Sequence, residues 1–207
     1  MSRESLIEWP DRARAAIRQS TKGLLISLAT PLARVGVSPN VLTLCGLLAM
    51  FGVAYVLALG HQRVAGLLLI PVALFDALDG ALARLTGKAT PFGAFFDSTL
   101  DRIAEIALYL GLLYLYRGLT LESVLVYLTI TGSLMVSYTR ARAEGLGVQC
   151  KVGLFTRLER LAVLVAGLLL EQTLLALIVL AIFSNLTVLQ RVWHVRQATS
   201  KERTRDQ

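Results

Sequence analysis

Asp76 and Asp79 lie three residues apart, and Asp97 and Asp101 four apart, within an otherwise largely apolar part of the 207-residue chain. Both spacings put a pair on one face of a helix. Two such helices, antiparallel across the short link from Thr86 to Pro91, can aim all four carboxylates at one point. At membrane depth an ionisable group is expensive, by at least ~2.5 kcal/mol on insertion scales, and is paired, metal-bound or turned to a polar cavity. Four like charges so close would also raise one another's pKa, so a divalent cation is what makes the arrangement comfortable. Oxygen ligands with no nearby His or Cys point to Mg²⁺ or Mn²⁺ over zinc.

Gly80 and Ala83 follow Asp76 by four and seven residues, on the same helical face. Their small side chains would let a bulky diphosphate lie against the backbone, with Arg84 just beyond as a phosphate partner. A small-residue helix packing seam is the alternative; beside four acids it is the lesser reading.

The elements that must position these residues belong to a lipid environment. The chain has 55% hydrophobic and only 17% charged residues, with a mean hydropathy of +0.63, against about 25% charged in soluble proteins. A crossing helix needs about 20 apolar residues, and Val41 to Gly60 supplies 20 without a charge. Apolar segments at about 40–60, 64–87, 91–116, 121–140, 153–170 and 173–190 give six helices. Glu171 and Gln172 favour a hairpin between the last two, since Leu161 to Leu189 as one helix would run about 43 Å. Leu6, Trp9, Ala13, Ala16 and Ile17 oppose Arg12, Arg14 and Arg18 at near-helical spacing, which fits an amphipathic surface helix. Glu4, Glu8 and Asp11 and the lack of an apolar core argue against a cleaved secretory signal.

The expected fold is therefore an all-α integral membrane protein with six transmembrane helices and an N-terminal amphipathic surface helix. Residues 1–35 form the juxtamembrane segment, 36–196 the six-helix domain and 197–207 a polar, frayed cytoplasmic tail. With six spans, one side holds every basic residue except Arg63 and Arg117; by the positive-inside rule it faces the cytoplasm, in a multi-pass plasma-membrane protein. The net charge of +7 is spread between apolar spans and forms no soluble basic domain, which argues against nucleic acid and for anionic lipid or phosphorylated substrates. Cys45 and Cys150 have no metal or redox spacing and read as reduced and structural. His61 and His194 are isolated loop or interface residues.

The pattern D-x2-D-G-x2-A-R-x8-G-x3-D-x3-D, from Asp76 through Gly93 to Asp101, resembles at every fixed position the signature of the CDP-alcohol phosphotransferases. The resemblance extends over the basic N-terminus, the six-helix pattern and the chain length. It implies two Mg²⁺ ions, Mn²⁺ being an alternative, held by Asp76, Asp79, Asp97 and Asp101. Asp101 would also act as general base for an alcohol attacking the β-phosphorus of CDP-diacylglycerol. Pro39-Asn40-Val-Leu-Thr43 opens the first span as the family's motif does, and Thr90 is placed similarly, so Asn40, Thr43 and Thr90 would contact the cytidine. As isolated residues, Asn40 would be a helix cap and Thr43 a back-bonded hydroxyl. The family also implies a homodimer.

Ser137-Tyr-Thr-Arg140-Ala-Arg142 and Gly153-Leu-Phe-Thr-Arg157-Leu-Glu-Arg160 look like the corresponding region of bacterial phosphatidylinositol phosphate synthases, and Arg191 also matches their pattern. Two positions depart: Arg140 stands where those enzymes carry Lys, and Leu158 where they usually carry Pro. Independently, Arg140, Arg157, Arg160 and Arg191 can converge on a dianion, and guanidinium forks fit phosphate oxygens. With Ser137 they form the expected acceptor-phosphate site. The expected reaction transfers a phosphatidyl group from CDP-diacylglycerol to inositol phosphate and releases CMP. The rivals are a synthase using glycerol 3-phosphate and a cation transporter with buried acids; the latter predicts acids spread along a path, whereas here they cluster.

Overall fold

The computed structural model describes the backbone of residues 23–205 and the side chains through Ser200. The described residues hold seven helices and no strand: α1 Gly23–Arg34, α2 Pro39–Ala58, α3 Gln62–Thr86, α4 Pro91–Leu115, α5 Thr120–Glu144, α6 Arg157–Leu169 and α7 Thr173–Arg205. The amphipathic segment expected before Gly23 lies outside the described residues. Four helices, α2, α3, α5 and α7 through Ser200, are long and apolar enough to cross a membrane. Helix α4 has the length, 25 residues, but carries Asp97, Asp101, Arg102 and Glu105. Helix α6 has 13 residues, or about 20 Å, short of a ~30 Å hydrocarbon core.

The chain divides into two compact units. The first comprises Ile70–Ala104 and the described part of residues 1–50. Its core joins Ala29 of α1, Leu42 of α2, and Ala81 and Leu82 of α3, with Leu25, Leu32, Phe75 and Leu78 packed around them. Helix α3 stops because Gly87 adopts a left-handed conformation, φ +67°, and the Lys88 amide returns to the Ala83 carbonyl at 3.0 Å, a Schellman closure. Pro91 then opens α4 at a position where its missing amide is no loss. A four-residue link from Gly87 to Thr90 thus makes an α3–α4 hairpin.

The second unit comprises Phe51–Leu69 and the described part of residues 105–207. Here α7 packs against α5 and α6. Helix α6 begins at a capping box, the Glu159 carboxylate accepting the Thr156 amide at 2.9 Å and the Thr156 hydroxyl, four residues later than the apolar segment suggests. Glu171, at φ +56°, closes the α6–α7 hairpin expected from the sequence. Helix α7 runs on to Arg205, past the apolar segment that ends near 190 and into the 197–207 tail expected to be frayed. No Gly follows Gly167 and no Pro follows Pro91, and Ala, Gln, Lys, Glu and Arg are good helix formers.

Within this unit α2 and α4 approach so closely at Gly111 that a Cβ there would lie 2.5 Å from the Ala54 carbonyl oxygen and 3.0 Å from its Cα. Gly111→Ala is expected to destabilise the protein by about 1–3 kcal/mol through overpacking, read as a lowered Tm of the purified protein in detergent. At Gly52 a Cβ meets nothing within 4 Å. Gly52→Ala should leave Tm unchanged or raise it; equal loss in both variants would remove the close approach as the cause.

Candidate active site

The hairpin of the first unit brings the acids together. Carboxylate oxygens of Asp76 from α3 and of Asp97 and Asp101 from α4 lie within 4.8 Å of one another, all three side chains being partly buried. Asp79, one turn beyond Asp76, is more deeply placed at 4% exposure and lies within Coulombic range of Asp97 and Asp76. Its carboxylate accepts the Thr43 hydroxyl at 2.7 Å. Asp101 accepts a hydrogen bond from Arg102 Nη1 at 3.2 Å, and the same nitrogen donates to the Ser98 carbonyl at 2.9 Å.

Around the acids stand the other residues singled out in the first half of the chain. Arg84 folds back over Gly80: a Cβ on that glycine would sit 3.4 Å from Nη1 and 3.7 Å from Nη2. Ala83 is partly buried on the same helix. Thr90 caps α4, its hydroxyl accepting the Gly93 amide at 3.0 Å. Gly93 is the meeting point of the expected cytidine residues, since a Cβ there would lie 3.1 Å from Thr90 Oγ1 and 3.5 Å from Asn40 Oδ1. Thr43 instead spends its O–H on Asp79, so it could offer a ligand the lone pairs of its oxygen as acceptors.

The second unit holds the arginines, and it places them differently from one another. Arg160 and Arg191 are each only 3% exposed. Arg160 donates from Nη2 to Glu105 at 3.1 Å and from Nη1 to the Phe155 carbonyl at 3.4 Å. Arg191 donates from Nε to the Val152 carbonyl at 3.0 Å and from Nη1 to the Val136 carbonyl. The chain crosses Arg191 at Gly153, whose φ of +136° and close approach to Thr187 and Arg191 leave no room for a side chain. Arg191 lies within Coulombic range of Arg140 and Arg160. Arg140 is exposed and pairs with Glu144 at 2.8 Å. Arg157 opens α6, and Ser137 is partly buried on α5. Cys150 is fully buried against Ala143 and Val148, and that burial raises its thiol pKa, consistent with a structural, protonated cysteine.

Glu105 and Ser133 were not among the residues singled out from the sequence, although Glu105 continues the four-residue step of Asp97 and Asp101 along α4. Ser133 carries no sequence signal of its own.

A helical membrane chain whose sharp α3–α4 turn gathers carboxylates defines a class, and comparison with known proteins specifies it. The family model described as CDP-alcohol phosphatidyltransferase matches residues 36–193. The chain belongs to that family, and it is a membrane enzyme. It is 38% identical over 182 residues to the archaetidylinositol phosphate synthase of Pyrococcus horikoshii, which covers 87% of this chain and 95% of that protein. It is 37% identical over 180 residues to the phosphatidylinositol phosphate synthase of Mycobacteroides abscessus, 82% of each chain. The crystal structure of Mycobacterium tuberculosis phosphatidylinositol phosphate synthase with CDP-DAG bound matches with a TM-score of 0.77 at 31% identity, over 83% of this chain and 92% of that one. The same enzyme in complex with manganese and citrate matches with a TM-score of 0.77 at 31% identity, over 83% of this chain and 88% of that one.

Proposed function

We propose that this enzyme transfers a phosphatidyl group from CDP-diacylglycerol to inositol phosphate, releasing CMP, in phospholipid biosynthesis. The observation that carries the reading is the set of Asp76, Asp97 and Asp101 oxygens within 4.8 Å of one another, with Asp79 beside them, in a family member similar to inositol phosphate synthases. Hard oxygen donors in that number suit Mg²⁺ or Mn²⁺. We assign two ions to Asp76, Asp79, Asp97 and Asp101; when bound, they would supply charge neutralisation along the pyrophosphate as CMP departs.

The chain's own residues account for the rest. Asn40, Thr43 and Thr90 hold the cytidine end, Gly80 and Ala83 leave space for the diphosphate, and Arg84 donates to a phosphate oxygen. Asp101, as general base, accepts the proton of the attacking hydroxyl. The oxygen that loses the proton forms the new bond to the β-phosphorus while the bond to CMP breaks. Ser137, Arg140, Arg157, Arg160 and Arg191 receive the acceptor's own phosphate. Three of these cations, Arg140, Arg160 and Arg191, already share one Coulombic neighbourhood, which favours a dianionic ligand.

The assay that tests the function supplies CDP-diacylglycerol and Mg²⁺ with inositol 1- or 3-phosphate, glycerol 3-phosphate, inositol or serine in parallel, reading CMP. Inositol phosphate should be preferred, EDTA should abolish turnover, and Mg²⁺ or Mn²⁺ should restore it. Equal use of glycerol 3-phosphate would move the enzyme to phosphatidylglycerol phosphate synthesis; equal use of free inositol or serine would overturn the arginine site; full activity after exhaustive chelation would overturn the metal assignment.

Asp101→Asn should lower kcat by the ~10² to 10⁴ of a lost general base with CDP-lipid binding retained, whereas Asp76→Asn should weaken metal and nucleotide binding together. Near-normal turnover of Asp101→Asn would place the base elsewhere.

We further propose six spans, with α4 and α6 crossing alongside the four long apolar helices, an amphipathic N-terminal surface helix, the active site on the cytoplasmic face of the plasma membrane, and a homodimer. The Lys and Arg asymmetry, with only Arg63 and Arg117 on the other side, supports the orientation. Reporter fusions at both termini should read cytoplasm, and a tag near Leu119 should be reachable from outside; termini on opposite sides would make the span count odd.

A further inference from the structure

Glu105 takes no part in the chemistry above, yet it occupies a demanding place in the second unit. Its side chain is 15% exposed and that of its partner Arg160 is 2% exposed. One oxygen, Oε1, accepts both the Arg160 Nη2 proton at 3.1 Å and the Ser133 hydroxyl. Ser133 is itself fully buried on α5. The contact therefore ties α4, α5 and the first turn of α6 through one carboxylate. Tyr109, one turn further along α4 and 2% exposed, feels both charges.

A buried ion pair of this kind is a poor stabilising device, because desolvation offsets most of the attraction and apolar residues of the same shape serve as well. What it does provide is a fixed orientation. A guanidinium carries five N–H donors in a rigid fork. Arg160 uses one on Glu105 and one, at the long distance of 3.4 Å, on the Phe155 carbonyl. Its Nε is buried with no hydrogen-bond partner among the described residues. A donor left in that condition calls for an acceptor supplied by a ligand. The neighbouring charges of Arg140 and Arg191 make that ligand an anion.

We infer that Glu105 is a positioning residue for the acceptor's phosphate: braced by Ser133, it orients the Arg160 guanidinium so that the remaining N–H groups form a preset donor edge. The inference rests on the assignment of the arginines to the acceptor phosphate. Glu105 acts through Arg160 and does not itself touch substrate.

Steady-state kinetics of the purified full chain with CDP-diacylglycerol and inositol phosphate distinguish the possibilities. Glu105→Gln keeps the shape and removes the charge; it should raise the acceptor KM about ten-fold or more, leave the CDP-diacylglycerol KM within about two-fold, and retain most of kcat. On an Arg160→Ala background the same substitution should add nothing to the acceptor KM, because both changes remove one device. Glu105→Asp, which keeps the charge, should recover part of the loss, and it replaces Glu105→Gln in the comparison if that variant does not fold. A purely structural pair predicts a lowered Tm with both KM values and kcat moving together, additively with Arg160→Ala; that outcome overturns the inference. So does an unchanged or lowered acceptor KM in Glu105→Gln when Arg160→Ala raises it, which would leave the acceptor site standing and make Glu105 a bystander or a competitor for the guanidinium. An acceptor KM untouched by Arg160→Ala removes the acceptor site itself, and the inference with it.

Discussion

Keeping carboxylates charged and close together, on helices that otherwise suit lipid, is the constraint that shapes the first unit. Asp79 sits at 4% exposure with the Thr43 hydroxyl on its carboxylate, while Asp76, Asp97 and Asp101 cluster around a common point. Neither arrangement survives a slip of the helices. The left-handed Gly87, the Lys88 amide closing on Ala83 and the proline start of α4 make the α3–α4 link short and sharp. The apolar cluster of Ala29, Leu42, Ala81 and Leu82 then fixes α1 and α2 against α3. Local turn chemistry and generic apolar packing together hold an electrostatically unfavourable centre.

The second unit solves a problem of opposite sign. Arg160 and Arg191 are nearly inaccessible, and they donate to the main-chain carbonyls of Phe155, Val152 and Val136. Carbonyl oxygens stabilise a cation without cancelling its charge. The segment from Gly147 to Thr156 is thus wrapped on Arg191 and led into α6, whose capping box sets where Arg160 enters. The Glu105 carboxylate bonds Arg160, and that of Glu144 bonds Arg140.

Much of this was readable beforehand, and the parts that were not have physical reasons. Carboxylates in apolar sequence are conspicuous because lipid penalises them, so spacing alone located the acids and the hairpin that gathers them. Positive charge is cheaper to place at membrane ends, so the arginines were visible as a group but their burial was not; whether a guanidinium reaches solvent depends on long-range packing. The start of α6 was set too early by following apolarity, although Thr156-Arg-Leu-Glu159 is a capping-box signature. Helix α7 ran past the apolar segment because helix propensity, not hydropathy, decides where an uninterrupted polar stretch stops. Glu105 was missed since its partner Arg160 lies 55 residues away.

Gly80 has a consequence for the arginine one turn after it. With no Cβ in the way, the Arg84 guanidinium rests along α3, within 3.4 to 3.7 Å of where that carbon would be. A free arginine side chain carries about 2 kcal/mol of rotamer entropy, and part of that freedom is already surrendered before any anion arrives. An alanine at position 80 would meet the guanidinium at ordinary van der Waals distance, but a longer side chain would claim the space in which it rests and return the lost motion, so the same positive charge would bind less tightly. The glycine thereby acts as an entropic device: by what it lacks, it shortens the list of conformations that a longer residue must abandon on meeting its ligand.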